Sequence, residues 1–380
     1  MPATPTQGHV VVAPDKFKGT LEGAEVAAHL AAGIRRVLPG VEIRELPVAD
    51  GGEGTLAAAL AAGFRRVPVK VAGPTGLPVD AAIAVRDEIA VVELAQASGL
   101  ARLPGGRTSP LGAGSYGVGQ LIARAVAQGA KTVVIGLGGS ACTDGGAGMV
   151  QALGVGLYDA EGVELGPGGG ALRRLDRLDL GSLADGLAGV EVVVACDVDN
   201  PLLGPRGAAA VYGPQKGADE EDLVVLEEGL TRFADVVREV TGRDVREAPG
   251  AGAAGGVGFA ALALLGATMR PGIELLLELL GFDEAVRGAR LVVTGEGCLD
   301  AQTLHGKAPA GVAAAATRAG VRVAAVAGRL ELSESQWRAA GFTAAYALTD
   351  LAEQPGDSMT RAGELAEVAG ERLATDLLKP

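Results

Sequence analysis

Residues 10–52 read VVVAPDKFKGTLEGAEVAAHLAAGIRRVLPGVEIRELPVADGG, and the alternation within them decides the fold class. Val10 to Ala13 is a short apolar run closed by Pro14-Asp15. Thr20 then offers a side-chain cap for a helical pattern that continues through Leu38, and Glu42 to Val48 reads as a second strand closed by Asp50-Gly51-Gly52. Continuous apolar runs separated by helical patterns of about ten to fifteen residues mark buried parallel strands with crossover helices. The chain is therefore α/β. The same rhythm returns near the other end, with Leu291 to Val293 before Thr294-Gly295-Glu296, a helix from Lys307 to Ala319, a strand from Val321 to Ala327, a helix around Trp337 and a strand from Ala344 to Leu348. Both ends can share one doubly wound sheet.

Between them the texture changes. Val67 to Val71, Ala81 to Val85 and Ile89 to Glu93 are strand-like with short connections, as in a mixed or antiparallel sheet, and Val133 to Leu137 and Val192 to Ala195 follow. Two domains are expected, residues 1–65 with 281–380 and an inserted domain over 66–280. Glu220 to Thr241 is an amphipathic helix with Leu223, Leu226, Leu230, Phe233 and Val237 on one face, and reads as scaffold.

Hydrophobic residues at 48% and charged residues at 21% exclude disorder as the main state. Sixty of 380 residues are glycine, about twice the usual share of ~7%, so these glycines punctuate structure. The net charge of −13 and the lack of any Lys/Arg run beyond two residues leave no footprint for a nucleic-acid backbone. Eleven aromatic residues are too few for a base-stacking groove. An acidic chain that handles an anion must gather its lysines locally or recruit a divalent cation. Cys142, Cys196 and Cys298 lack metal or disulfide spacing, which suits a reducing cytoplasm. The first residues carry no leader pattern, and the longest apolar run, Gly256 to Met269, is too short for a bilayer. A cytoplasmic protein without membrane or nucleic-acid partners is expected.

Gly-x-Gly-x-x-Gly occurs at Gly112/Gly114/Gly117 and Gly250/Gly252/Gly255, but neither follows a strand, so the dinucleotide reading fails. Gly306-Lys307 continues into Ala308 and lacks the earlier glycine of a Walker loop. The run Gly136 to Gly148 is different, because it follows a strand and precedes a helical pattern. Its glycines can turn backbone N–H groups inward, and Ser140 and Thr143 can add donors, which makes a phosphate or carboxylate nest; the plain alternative is a strained strand-to-helix turn. Asp50 to Thr55 lies at another strand end, as do Asp15, Lys16, Lys18, Glu296 and Asp300, where open α/β sheets collect ligands.

Asp197 and Asp199 follow a further strand, with Lys216 downstream. Two carboxylates and a lysine suit Mg²⁺ and a transferring phosphoryl group, while the alternative is a turn capped by Asn200-Pro201. Gly295 to Lys307 combines Glu296, Asp300, Gln302, His305 and Lys307. Lys307 opens a helix, where the macrodipole disfavours a cation unless an anion is near. His305 reads equally as a structural hydrogen-bonding residue or a base, and Cys298 as a bystander.

Seven segments carry a resemblance: Ala13 to Leu21, Val48 to Thr55, Gly136 to Gly148, Ala195 to Leu202, Gly213 to Gly217, Pro249 to Gly256 and Thr294 to Lys307. In order and nearly end to end, they resemble the bacterial type I glycerate kinases. The resemblance implies a flavodoxin-like parallel sheet formed by both chain ends, an inserted mixed-sheet α/β domain, and ATP-dependent phosphorylation of D-glycerate to 2-phosphoglycerate with Mg²⁺ in the cleft between the domains. In that frame Asp197, Lys16 and Asp50 are the catalytic candidates. Lys307, Glu296, Asp300 and Gln302 are expected at the substrate, and Lys18, Gly138, Gly139, Ser140, Thr143 and Lys216 at the nucleotide. Asp197, Asp199 and Glu53 are expected at the metal. Phosphorylation at the 3-hydroxyl, a kinase for a related hydroxy acid, a non-enzymatic anion or nucleotide sensor, and a homodimer stay open. Two departures stand out, Cys298 where the family carries arginine and Gln120 where it carries glutamate.

Overall fold

The computed structural model describes residues 8–181 and 183–379, apart from the side chains of Ala184, Asp185 and His305. The chain divides into two compact units, Met1–Asp50 with Ala57–Ala62 and Ile273–Pro380, and Gly51–Leu56 with Gly63–Gly272.

The first unit holds five parallel strands in the spatial order Phe342–Ala347, Val323–Leu330, Leu291–Leu299, Val10–Val12, Ile43–Glu45. Counted along the chain, this is the flavodoxin-like order, with its switch point between Val10–Val12 and Leu291–Leu299. Successive side chains of a strand face opposite sides, so Val10 and Val12 pack with Val26, Leu30 and Ile34 of the helix Gly23–Val37, while Val11 packs with Val312 and Ala316 of the helix Ala308–Arg318. Both faces of the central strands are covered, which is why Val10–Val12 and Leu291 to Val293 are apolar, while the edge strand Ile43–Glu45 exposes Arg44 and Glu45. Ile273, Leu276 and Leu277 join the second of these clusters, which draws the chain from Ile273 onward into this unit, ahead of residue 281.

Two local expectations change. The first helix starts at Gly23 and is capped by a reciprocal box between Glu22 and Glu25, whereas the Thr20 hydroxyl bonds Phe17 O at 2.8 Å in the preceding turn. The strand expected to stop at Val293 runs to Leu299 and carries Glu296 within it. It can do so because Gly295 has no Cβ, which would fall 1.8 Å from Val326 O on the neighbouring strand.

The second unit is built on a six-stranded sheet in the order Thr268–Arg270, Glu191–Ala195, Thr132–Gly136, Ile89–Glu93, Pro78–Arg86, Arg65–Ala72. The first four are parallel and the last two continue antiparallel. Thr268–Arg270 comes from the end of the long apolar run that gave no strand signal of its own. The helix Glu220–Thr241 is capped by Asp219, whose side chain accepts from Asp222 N, and it buries Leu226, Leu230, Phe233 and Val237, with Leu223 only half-buried. Among the described residues no helix is long and apolar enough to cross a membrane.

Candidate active site

At the switch point of the first unit, pairing continues past the short strand: Ala13 N donates to Val293 O at 2.7 Å and Asp15 N to Gly295 O at 2.8 Å. That carries Asp15 to the level of Glu296. Its carboxylate accepts from Lys16 N at 2.6 Å. Although the residue keeps some open surface, protein surrounds most of the carboxyl, and burial together with Asp50 and Glu296 pushes its pKa up to about 8. Burial also raises Glu296, against the Thr303 hydroxyl, which donates to its Oε1, and Lys307. Lys307 Nζ lies 3.9 Å from Glu296 Oε2 and 3.9 Å from Asp300 Oδ1. The cation that opens a helix thus has two carboxylates beside it. Asp300 Oδ1 also accepts from Gln302 N at 2.8 Å and Thr303 N at 3.2 Å, which fixes the turn. The structure therefore brings Lys307, Glu296 and Asp300 together, with Asp50 close enough to raise both Asp15 and Glu296. Gln302 and Lys18 are exposed and Lys16 is half-buried; the His305 side chain lies outside the described residues.

In the second unit the glycine loops interlock. A Cβ on Gly136 would fall 2.6 Å from Gly51 O, one on Gly138 2.4 Å from Gly52 Cα, and one on Gly51 2.9 Å from Ala195 O. Backbone at three strand ends can approach only because side chains are missing. Gly139 lies against Glu53, where a Cβ would stand 3.0 Å from Oε1. Gly138, Gly139 and Glu53 thereby gather beside the strand that leads to Asp197.

Other expected contributors turn inward. Asp144 is fully buried and accepts from Ser115 N and Oγ, both at 2.8 Å, from Gly146 N at 3.1 Å and from Gly148 N at 3.2 Å. The protein's own carboxylate fills the start of the helix Ala147–Ala152, where the glycine pattern suggested a bound anion. Lys216, expected at the nucleotide, is 2% exposed. Its ammonium donates to Cys142 O at 2.5 Å and approaches Thr143 Oγ1 at 3.5 Å, and burial lowers its pKa. Lys216 and the fully buried Thr143 hold the loop from inside, while Ser140 is 7% exposed.

Asp199 is exposed and ion-paired with Arg206 at 3.2 Å, and Asn200 Oδ1 accepts from Tyr212 Oη at 2.7 Å, so this half of the segment is a surface turn. Asp197 accepts from Gly272 N at 2.8 Å. A three-carboxylate cluster of Asp197, Asp199 and Glu53 does not form: among the described residues, only Cys298, Asp300 and Glu331 bring three metal-ligating side chains within 4.8 Å. Mg²⁺ needs only one or two carboxylates beside phosphate oxygens. Asp197 and Glu53 have the oxygen chemistry for that need, and the lack of a Cβ on Gly139 leaves the Glu53 carboxylate unobstructed from that side.

The two departures also find places. Cys298 pairs across the strands with Arg329, whose guanidinium lies 3.8 Å from the sulfur and is ion-paired with Glu331 at 2.7 Å. Gln120 Oε1 accepts from Ala72 N at 2.7 Å, a bond that glutamate would make equally well. The sequence reading gave no role to Thr303, Asp144 or Glu93. Glu93 is 3% exposed and accepts from Leu56 N at 2.8 Å. Its only sequence signal was an acid ending an apolar strand.

Comparison with known proteins adds an independent finding. The sequence model of the glycerate kinase family matches residues 10–378. The glycerate kinase of Bacillus subtilis strain 168 is 43% identical over 97% of this chain and 97% of its own length. The glycerate 2-kinase of Escherichia coli K12 is 45% identical over 84% of this chain and 85% of its own. A solved structure from Salmonella typhimurium LT2, assigned as a glycerate kinase 2, superposes with a TM-score of 0.85 at 39% identity, covering 98% of both chains.

Proposed function

We propose that this chain, which belongs to the glycerate kinase family, transfers the terminal phosphoryl group of ATP to the 2-hydroxyl of D-glycerate in the cytoplasm. The observation that carries the chemistry is the group of buried and half-buried carboxylates at the switch point with Lys307 beside them. Lys307 takes the substrate carboxylate, with Glu296 and Asp300 holding its ammonium in place. Asp15 accepts the hydroxyl proton, since a carboxyl whose pKa stands at about 8 is matched to proton transfer near neutral pH. Gln302 is exposed beside that group.

In the second unit the backbone of Gly138 to Ser140 orients phosphate oxygens, and in the first unit Lys16 is the phosphate-binding cation with Lys18 outside it. Mg²⁺ would be held by Asp197 and Glu53, and when bound it would neutralise charge on the transferring group. Asp50 acts through the field it places on Asp15 and Glu296. The name of the Escherichia coli relative supports the 2-hydroxyl.

The test is glycerate-dependent ADP release with ATP and Mg²⁺, followed by phosphorus NMR of the product. 2-Phosphoglycerate is expected. 3-Phosphoglycerate would overturn the regiochemistry, turnover only with another hydroxy acid would overturn the substrate, and full rate in excess chelator would remove the metal.

A further inference from the structure

Thr303 stands between the two carboxylates that flank Lys307. It opens the short turn Thr303–His305 and is fully buried. Its hydroxyl makes two bonds of opposite sense: the oxygen accepts from Asp300 N at 3.0 Å, and the O–H donates to Glu296 Oε1. A hydroxyl has one proton, so accepting on one side leaves that proton for a single acceptor on the other. The link therefore runs from the turn to the strand Leu291–Leu299, which carries Glu296.

The turn closes without that hydroxyl. Asp300 Oδ1 already accepts from Gln302 N at 2.8 Å and Thr303 N at 3.2 Å, and Thr303 N also reaches Asp300 O at 3.1 Å. What the hydroxyl adds is the tie to the strand, and the two groups it ties are those that stand 3.9 Å from Lys307 Nζ, Asp300 through Oδ1 and Glu296 through Oε2. Lys307 holds the cap position of the helix Ala308–Arg318 without a side-chain capping bond. Among the described residues, these two carboxylates are what place its ammonium. Glu296 thus turns one oxygen to a hydroxyl and the other to a cation, and both donors favour its ionised form against burial and against Asp300 and Asp50.

We propose that Thr303 is a positioning residue for glycerate: its hydroxyl ties Asp300 to Glu296 and so sets where Lys307 presents its charge. The proposal rests on the reading of Lys307 as the group that takes the substrate carboxylate. Thr303 has no open surface of its own, so it acts through the two carboxylates and not on the substrate.

The experiment compares the unmodified chain with Thr303→Val, Thr303→Ala and Thr303→Ser, measuring KM values by ADP release and D-glycerate binding by calorimetry. Valine keeps the outline of threonine and removes both hydroxyl bonds, alanine removes them with less bulk, and serine keeps them. Thr303→Val and Thr303→Ala are expected to raise KM for D-glycerate and weaken its binding at least fivefold, with KM for ATP within twofold. Thr303→Ser is expected to stay within twofold on every value. An unchanged glycerate KM in folded Thr303→Val would overturn the proposal. So would KM values for both substrates that rise together, a serine variant as impaired as valine, or failure of both Thr303→Val and Thr303→Ala to fold, since each would make the residue plain architecture. The kinase reading falls separately: glycerate binding that weakens as expected, in a chain that releases no ADP, would leave Thr303 in its role and remove phosphoryl transfer. A chain that neither binds nor phosphorylates glycerate would remove both.

Discussion

Asp15 and Asp144 are both acids in a loop after a buried parallel strand, and their surroundings send them in opposite directions. Asp144 meets three backbone N–H groups and a hydroxyl. Asp15 meets one backbone N–H at 2.6 Å and the fields of two further acids. A carboxylate saturated by donors is architecture, since its charge is spent on holding a loop. One taken out of water and then crowded by like charge holds on to a proton and is poised to exchange it. On the proposed mechanism Asp15 is a reacting acid, whereas Asp144 serves to hold the glycine loop in shape.

The strongest test of that contrast is Asp15→Asn. It should lower kcat roughly 10²–10⁴-fold, the usual contribution of a positioned base, with circular dichroism unchanged; a rate within threefold of the parent would end the assignment. The same variant reports on pH. The unfolded chain loses this proton near 3.8 and the folded chain holds it to about 8. The folded state therefore binds more protons across that window, and the contribution of Asp15 to stability, complete at low pH, is lost as pH rises through it. Urea titrations should show a flatter decline for Asp15→Asn than for the parent between those limits.

Asp144→Ala should act on the other side, destabilising by about 3 kcal/mol or more because several buried donors lose their acceptor. A midpoint shift of less than about 1 kcal/mol would mean that water replaces the carboxylate. Gly138→Ala comes next, at about 1–3 kcal/mol for an overpacked contact, since its Cβ would meet Gly52 backbone. An unchanged melting temperature would show that the two loops can separate freely. The smallest effect belongs to Asp199→Ala. Its exposed pair with Arg206 should contribute under about 1 kcal/mol, with kcat within threefold; a fall of a hundredfold would return Asp199 to the metal site.

Much of the fold was legible because strands covered on both faces leave unbroken apolar runs, as at Val10–Val12 and Glu191–Ala195. The helix Glu220–Thr241 was legible from its period. The start of the first helix was not, because Thr20 and Glu22 are both able to cap and only the preceding turn decides between them. At the site, the cluster of Lys307, Glu296 and Asp300 could be read from strand ends. Lys216 could not, because a lysine's letter carries no mark of burial. The start of the helix Ala147–Ala152, filled by Asp144, was hidden for a related reason: a backbone that must admit an anion and one that must admit another part of the chain both dispense with Cβ.

The pairing of Val10–Val12 with Leu291–Leu299 sets a timetable for biosynthesis. A ribosome adding roughly 5–20 residues per second finishes the whole second unit before the partner of the first strand exists. Until then that strand keeps one unpaired edge, an invitation to pair with another nascent chain. The interrupted domain must close last, and chaperone demand should concentrate on the interval between the two halves of its sheet.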